Sequence, residues 1–497
     1  MMCHTIYREL LRIFSCKWLE SPDFLQSHHS LCMIHRVSIL FLSLLASISY
    51  AADKPNIVFL LVDDLGWTDF GCFGSDLYET PNIDKLCADG MKFTNGYAAC
   101  TVCSPTRAAV MTGKYPVRTG ITNWISGPTM RLHHEETTLA EALKEGGYQT
   151  WHVGKWHLAP RGAPEVEDYY PEHQGFDVNI GGNHWGAPGS YFHPYTTQRK
   201  TMGKLPPGGK QGDYLTDRLT DETLKLLDKG EDKPFFLSFW YYNVHTPIQG
   251  RPELVEKYQK ITGDGKKRRH RNATYAAMIE NVDESVGRIM KKLEDEGISD
   301  NTMIFLTGDN GGLDRKGNPT ENIPLRAGKG SAYEGGTRVP TIIKWPGVTK
   351  AGSVSDEPVI SIDYYPTLLE VTGIKGSRKH NANVDGVSLV PLLKDPKACL
   401  GRESLFWHYP HNHGGGSRKY GSIRKGAHIL VEQYSTGALE LYDLENDLSQ
   451  ATDIAAKFPE KTEELHQEFR ACLNSVGGTI PSKGEPQKKK TKKSRKE

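Results

Sequence analysis

The chain has 497 residues, 37% of them hydrophobic and 24% charged, and a formal net charge of +1. That length excludes a single domain of ordinary size, and the balanced charge offers no argument for nucleic acid as a partner. Fifty glycines and 28 prolines argue against a helical bundle and for a loop-rich surface.

In chain order, the first feature is an export signal. Met33, His35 and Arg36 precede the apolar run VSILFLSLLASIS, and YAAD follows. A basic start, an apolar run of about a dozen residues and small residues at Ser49 and Ala51 describe a secretory signal peptide. The run is shorter than the ~20 residues that span a bilayer, so no stable membrane span is expected. Residues 1–32 have neither a helical nor a strand pattern, so Met33 is the expected true start. The mature chain is expected to be exported, to the periplasm or the medium. Six cysteines follow the cleavage point: Cys72, Cys87, Cys100, Cys103, Cys399 and Cys472. No CxxC pair recurs, which argues against a structural zinc site.

PNIVFLLVDD (55–64) predicts a buried parallel strand ending in two acids. NIDKLCADG (82–90) predicts a short helix closed by Gly90. Residues 137–157 predict helix, glycine stop, strand and loop. Residues 214–230 predict an amphipathic helix that leads to the strand PFFLSFWYY (234–242). A long helix over 273–298 leads to the strand TMIFLTGDN (302–310), and VPTIIKWPG (339–347) adds a strand before a helix over 362–373. Alternating strands and helices predict an α/β fold over 52–400, a large mostly parallel sheet sandwiched by helices. KGAHILVEQ and LELYDLEND predict strands of a small antiparallel sheet, and 458–476 predicts one covering helix. These form an α+β C-terminal subdomain over 401–480. Residues 1–51 are extension and signal peptide, and 481–497 form a basic low-complexity tail expected to be solvated.

Four predicted strands end in polar clusters. They are Asp63-Asp64, then Lys155 and His157 in GKWH, then His245 in NVHTP, then Asp309 and Asn310 in GDNGG. Ligands of open α/β sheets bind outside the carboxyl ends of the strands, so these clusters are expected to face one crevice. Adjacent carboxylates repel unless a cation lies between them. Asp63, Asp64, Asp309 and Asn310 offer only oxygen, which favours a hard divalent cation, calcium ahead of magnesium, over zinc. Turn and cap chemistry is the plain alternative for both motifs.

Residues 105–113 are helix-compatible, with Gly113 as the stop, which stands Cys103 just ahead of a helix N-terminus. Such a position lowers a thiol pKa and favours a bound anion, and Arg107 one turn on can reach the same spot. Cys103 thus reads as a thiolate nucleophile near a metal, or as a structural cysteine.

Cys103-Ser104-Pro105-Thr106-Arg107, continued by AAVMTGKYPVRTG, resembles the signature of the type I sulfatases. VDDLGWTD, GKWH, VHTP, GDNGG and RAGKGSAYEGGTRVP match the other blocks of that family in order, within residues 54–455. The resemblance implies an arylsulfatase-like sulfuric ester hydrolase of the alkaline phosphatase-like superfamily. It implies that a formylglycine-generating enzyme oxidises Cys103 to formylglycine, an aldehyde hydrated at rest. The C-x-P-x-R core is intact, with Thr106 in place of the commoner serine. By the same resemblance, Asp63, Asp64, Asp309 and Asn310, with the modified Cys103, hold one Ca2+. Arg107 steadies the formylglycine, Lys155 and Lys329 hold sulfate oxygens, and His157 and His245 handle protons.

Two rival readings remain. One is a formylglycine-dependent phosphodiesterase or phosphonate hydrolase of the same superfamily. The other is a non-catalytic binder of sulfated glycans in which Cys103 stays a thiol. The expected substrate is a sulfated carbohydrate or an aryl sulfate. Residues 161–195 and 406–426, long and rich in aromatic and polar residues, read as walls of a sugar subsite or as loops packing the small domain onto the large one.

Overall fold

The strands of the large sheet form because their sequences are buried on both faces. In β1 (Asn56–Val62) all seven residues are buried, so the run is continuously apolar rather than alternating. Val58, Leu60 and Val62 enter one hydrophobic layer, and Ile57, Phe59 and Leu61 the other. The computed structural model describes residues 54–198, 200–228, 233–314, 319–413 and 418–481. The predicted signal peptide and the basic tail lie outside the described residues.

The other strands of this region are β2 (Met91–Phe93), β3 (Gly96–Tyr97), β4 (Gln149–Gly154), β5 (Val178–Ile180), β6 (Phe235–Trp240), β7 (Thr302–Gly308), β8 (Thr341–Lys344), β9 (Ser353–Ser355) and β10 (Val359–Ile360). Eight of them form one sheet in the order β5-β4-β6-β1-β7-β8-β2-β9, while β3 pairs with β10. The main helices are α1 (Pro81–Asp89), α2 (Cys103–Thr112), α3 (Leu139–Glu145), α4 (Leu215–Leu227), α5 (Pro252–Thr262), α6 (Ala273–Asp295) and α7 (Tyr364–Thr372). Apolar residues of α1, α4, α5 and α6 fill the layer on one face, and those of α2, α3 and α7 the layer on the other.

Register positions the site. β1 runs parallel to β6 and β7, and β4 runs parallel to β6. Val62 lies opposite Gly308, and Trp240 lies opposite both Leu61 and Gly154. The carboxyl ends of four adjacent strands therefore finish at one level. β8 runs antiparallel to both β7 and β2. Among the described residues, the chain between β7 and β8 holds only a one-turn helix, Glu334–Thr337, with no crossover helix of the kind that a parallel return needs.

Beyond residue 400, β11 (Ser404–Tyr409), β12 (Tyr420–Lys425), β13 (His428–Gln433) and β14 (Ala438–Asp443) form an antiparallel meander. Leu465, Phe469 and Leu473 of α8 (Pro459–Ser475) pack in its core. The segment 406–426, read from the sequence as a loop, includes most of β11 and all of β12. Trp407 is buried and donates from Nε1 to the Ala98 carbonyl at 2.9 Å.

Gly154 ends β4 at φ +94°, and a Cβ there would lie 2.0 Å from the Trp240 carbonyl oxygen on β6. Gly154→Ala is expected to destabilise the fold by more than about 1 kcal/mol, measured by denaturant unfolding. An unchanged midpoint would contradict this reading of the β4–β6 end.

Candidate active site

α2 starts at Cys103, with Val102 as its N-cap, and stops at Gly113 with φ 69°. Cys103 is therefore the first residue of the helix rather than the residue ahead of it, and Pro105 still falls in the first turn, where its missing N–H is harmless. The turn before the helix is tied by Thr106. The Cys100 backbone N–H donates to Thr106 Oγ1 at 3.1 Å, and Thr106 Oγ1 donates to the Cys100 carbonyl at 3.2 Å. Cys100 is a buried small residue, and the six described cysteines carry no disulfide.

Cys103 Sγ lies 3.3 Å from His157 Nδ1, and His157 Nε2 lies 3.0 Å from the Ile125 carbonyl oxygen. A carbonyl only accepts, so Nε2 holds the ring proton and Nδ1 faces Cys103 as an acceptor. Burial, then the charge of Lys155, hold His157 well below its usual pKa. Burial likewise pushes the Cys103 thiol up, against the pull of Lys155 and Lys329. Burial and the charges of Asp63 and Asp309 thus work against the depression that the helix start was expected to give that thiol.

The charged groups interlock. Arg107 Nε and Nη2 reach Asp309 Oδ2 at 2.9 and 2.7 Å, and its Nη1 donates to the Lys155 carbonyl at 2.9 Å. Lys155 Nζ meets Asp63 Oδ2 at 2.6 Å, and Lys329 Nζ donates to Asp64 Oδ1. Asn310 Nδ2 donates to the same Asp64 oxygen at 2.8 Å, and the Asp64 backbone N–H donates to Asp309 Oδ1 at 3.1 Å. His245 Nε2 is 3.7 Å from Asp64 Oδ2. Despite burial, Lys329, His245 and Lys155 hold Asp64 well below the carboxylate range. Burial lowers His245 to about 3, with Asp64 opposing.

The residues fit a hard cation on their own geometry. Ligand atoms of Asp63, Asp64 and His245 all lie within 4.8 Å of one another. Asp63 Oδ1 and Asn310 Oδ1 are buried acceptors that receive no hydrogen bond. Such oxygens are rare without a partner, and a divalent cation supplies one. The structure brings every site residue predicted from the sequence to this one place. His245 joins the acidic group more closely than its predicted proton-handling role required.

Above them opens a cavity of about 270 Å³, lined by Cys103, Asp64, His157, His245 and Lys329 at its floor. Arg161, Trp185, Lys200 and His413 line its wall. Of the histidines in the hairpin segment, His408 pairs with the Tyr434 hydroxyl and His411 with the Thr122 hydroxyl, while His413 reaches the cavity. Lys200 escaped the sequence reading because it stands alone in a polar stretch with no motif around it.

The sulfatase family model matches residues 55–374. The chain belongs to the sulfatase family. A second model, N-sulphoglucosamine sulphohydrolase, C-terminal, matches residues 328–476. This sulfatase is 32% identical over 486 residues to a sulfatase of Formosa agariphila, covering 82% of this chain and 86% of the relative. It is 33% identical over 391 residues to the N-acetylgalactosamine-6-sulfatase of Mus musculus, covering 73% and 71%. Its structure is similar to the crystal structure of Ps i-CgsB in complex with k-i-k-neocarrahexaose, with TM-score 0.72 and 29% identity over 84% of this chain and 93% of that one. As a member of the family it is a sulfuric ester hydrolase.

Gly186 packs directly on the site, since a Cβ there would lie 2.4 Å from His157 Cε1. Gly186→Ala in this sulfatase is expected to push the imidazole off residue 103 and lower kcat on a small aryl sulfate by about 10²-fold. Steady-state kinetics beside a thermal unfolding curve check this; an unchanged kcat would mean the ring is not held by that contact.

Proposed function

We propose that this sulfatase hydrolyses a sulfate monoester on a sulfated carbohydrate, with Cys103 matured to formylglycine and one Ca2+ held beside it. The observation that carries the reading is Cys103 at the start of α2, facing His157 Nδ1 and enclosed by buried carboxylates and cations. The matured residue 103 supplies a hydroxyl nucleophile of a hydrated aldehyde, and the cation draws charge from the sulfate oxygens.

Asp63, Asp64, Asp309 and Asn310 would hold the cation, and the oxygen-only set favours calcium over magnesium. Arg107 fixes Asp309 and the Lys155 carbonyl, so it keeps both the acidic group and the GKWH loop in place. Lys155 and Lys329 meet sulfate oxygens whose charge grows in the transition state. Lys329, kept protonated beside Asp64, would deliver the proton to the departing alcohol oxygen, with His245 next to the same carboxylate. His157 Nδ1 accepts the proton from residue 103, because Nε2 is already committed to Ile125.

The carbohydrate class is supported by the name of the Mus musculus relative and by the neocarrahexaose bound in the similar structure. An aryl sulfate remains the competing small substrate. The leader-like segment supports export to the periplasm or the medium, and maturation requires a formylglycine-generating enzyme as a partner.

Mass spectrometry of the peptide holding residue 103, from the native host, is expected to find an aldehyde in place of the thiol. Cys103→Ala is expected to lower kcat by about 10⁴-fold or more. A fully active enzyme with an unmodified thiol would sink the nucleophile assignment. Chelation is expected to abolish turnover and Ca2+ to restore it, while Asn310→Ala weakens Ca2+ binding measured by calorimetry. Matched aryl sulfate and phosphate diester substrates are expected to show preference for sulfate; the reverse preference would favour a phosphonate or phosphodiester hydrolase.

A further inference from the structure

The wall of the cavity carries two cations gathered on one indole. Arg161 Cζ lies 4.5 Å from the Trp185 ring centroid, and Lys200 Nζ lies 5.8 Å from it. Trp185 is the neighbour of Gly186, the residue that packs on His157. Arg161 stands on the loop that also carries Lys155 and His157, and its backbone N–H donates to the Gly127 carbonyl at 2.9 Å. The three side chains and Cys103 line the same cavity.

Neither cation is neutralised locally. Lys200 Nζ reaches only a backbone oxygen, that of Ala187, at 3.5 Å. Among the described residues, neither Arg161 nor Lys200 forms an ion pair with a carboxylate. Half-burial, then the charge of Arg161, push the Lys200 ammonium below its ordinary pKa. Like charges held this close repel, and an anion placed between them converts that repulsion into two charge-assisted hydrogen bonds. The site's other lysines differ, for Lys155 and Lys329 already face Asp63 and Asp64. The wall therefore has its own unmet demand for negative charge, separate from that of the sulfate undergoing cleavage.

We propose that Arg161 and Lys200, aligned by Trp185, bind a second anionic group of the substrate, a sulfate or a carboxylate, beside the sulfate that is removed. This rests on the reading of the chain as a sulfatase of sulfated carbohydrates and adds what those carbohydrates must carry. Arg161 supplies a planar fork and Lys200 a point charge, a pairing that accepts either anion. The substrate class is thus a saccharide with at least two negative groups near one another.

The test uses the full-length matured enzyme on sulfated monosaccharides paired with their disulfated and carboxylate-bearing counterparts, and on a plain aryl sulfate. The dianionic sugars are expected to show kcat/KM about tenfold or more above the monosulfated ones, the gain lying in KM. Arg161→Gln and Lys200→Gln are each expected to remove that preference while leaving kcat, turnover of the aryl sulfate and the unfolding midpoint unchanged. The disulfated and carboxylate arms tell which anion is read. Equal kcat/KM for mono- and dianionic sugars in the wild type overturns the proposal, as does a preference that survives both substitutions. Failure of matured enzyme to cleave any sulfate ester would instead overturn the sulfatase reading beneath it.

Discussion

Three carboxylates and three cations meet in the dry end of one sheet, and the architecture follows from bringing them together. Asp63, Asp64 and Asp309 face Arg107, Lys155 and Lys329, none more than 9% exposed in its side chain. Removing one member of such a set leaves a buried charge without a counterpart, at a cost of about 3–5 kcal/mol. The strand order β4-β6-β1-β7 and the matched register of those strands deliver four of the six; Lys329 comes from the loop between β7 and β8. Arg107 arrives from α2 and ties the first and last of these strand ends to the GKWH loop. A divalent cation added to this neutral set leaves an excess of positive charge, which is what an anionic ester and a departing sulfate dianion require.

Beneath that set lies an apolar floor. Trp156 and Trp240 stack with ring centroids 5.7 Å apart, and the Arg107 guanidinium rests 5.2 Å from the Trp240 ring. His152 sits buried against both indoles, its pKa lowered to about 3 by burial. Excluding water below the charges strengthens every interaction above them. The backbone is tensioned at the same level. Asp64 and His157 hold φ of 59° and 57° without being glycine, a conformation that costs on the order of 1–3 kcal/mol each and survives only where the surroundings enforce it. Both residues carry side chains that must point at one centre, so the strain coincides with the chemistry.

Much of this was legible in the residues. β1 and β7 read as buried strands because their apolar runs are unbroken and end abruptly in acids. The Gly113 stop, the four polar clusters and the place of Cys103 at the helix start were legible because each is a short local pattern. The direction of β8 was not, since a strand's own residues do not say on which side its connection stays. The strands β2, β5 and β9 have three residues each, too few for a period to register. The helix α5 buries only Leu254 and Tyr258, a faint stripe in a charged segment. The burial of the Cys103 thiol was not legible, because burial is set by the whole packed layer rather than by the helix start. The Arg161–Trp185–Lys200 wall was hidden for a related reason: its members are spread over 40 positions of irregular chain, where no periodicity joins them.

The contact of Gly186 with the His157 ring also bears on how such enzymes diverge. The described residues among 181–214, between β5 and α4, form no helix and no strand longer than a bridge, so their sequence is free of the sheet's packing rules. Yet this stretch touches the reacting centre at a residue where any side chain would displace an imidazole. Substitutions elsewhere in the loop can therefore alter its surface without touching that ring, whereas a side chain at residue 186 meets it directly.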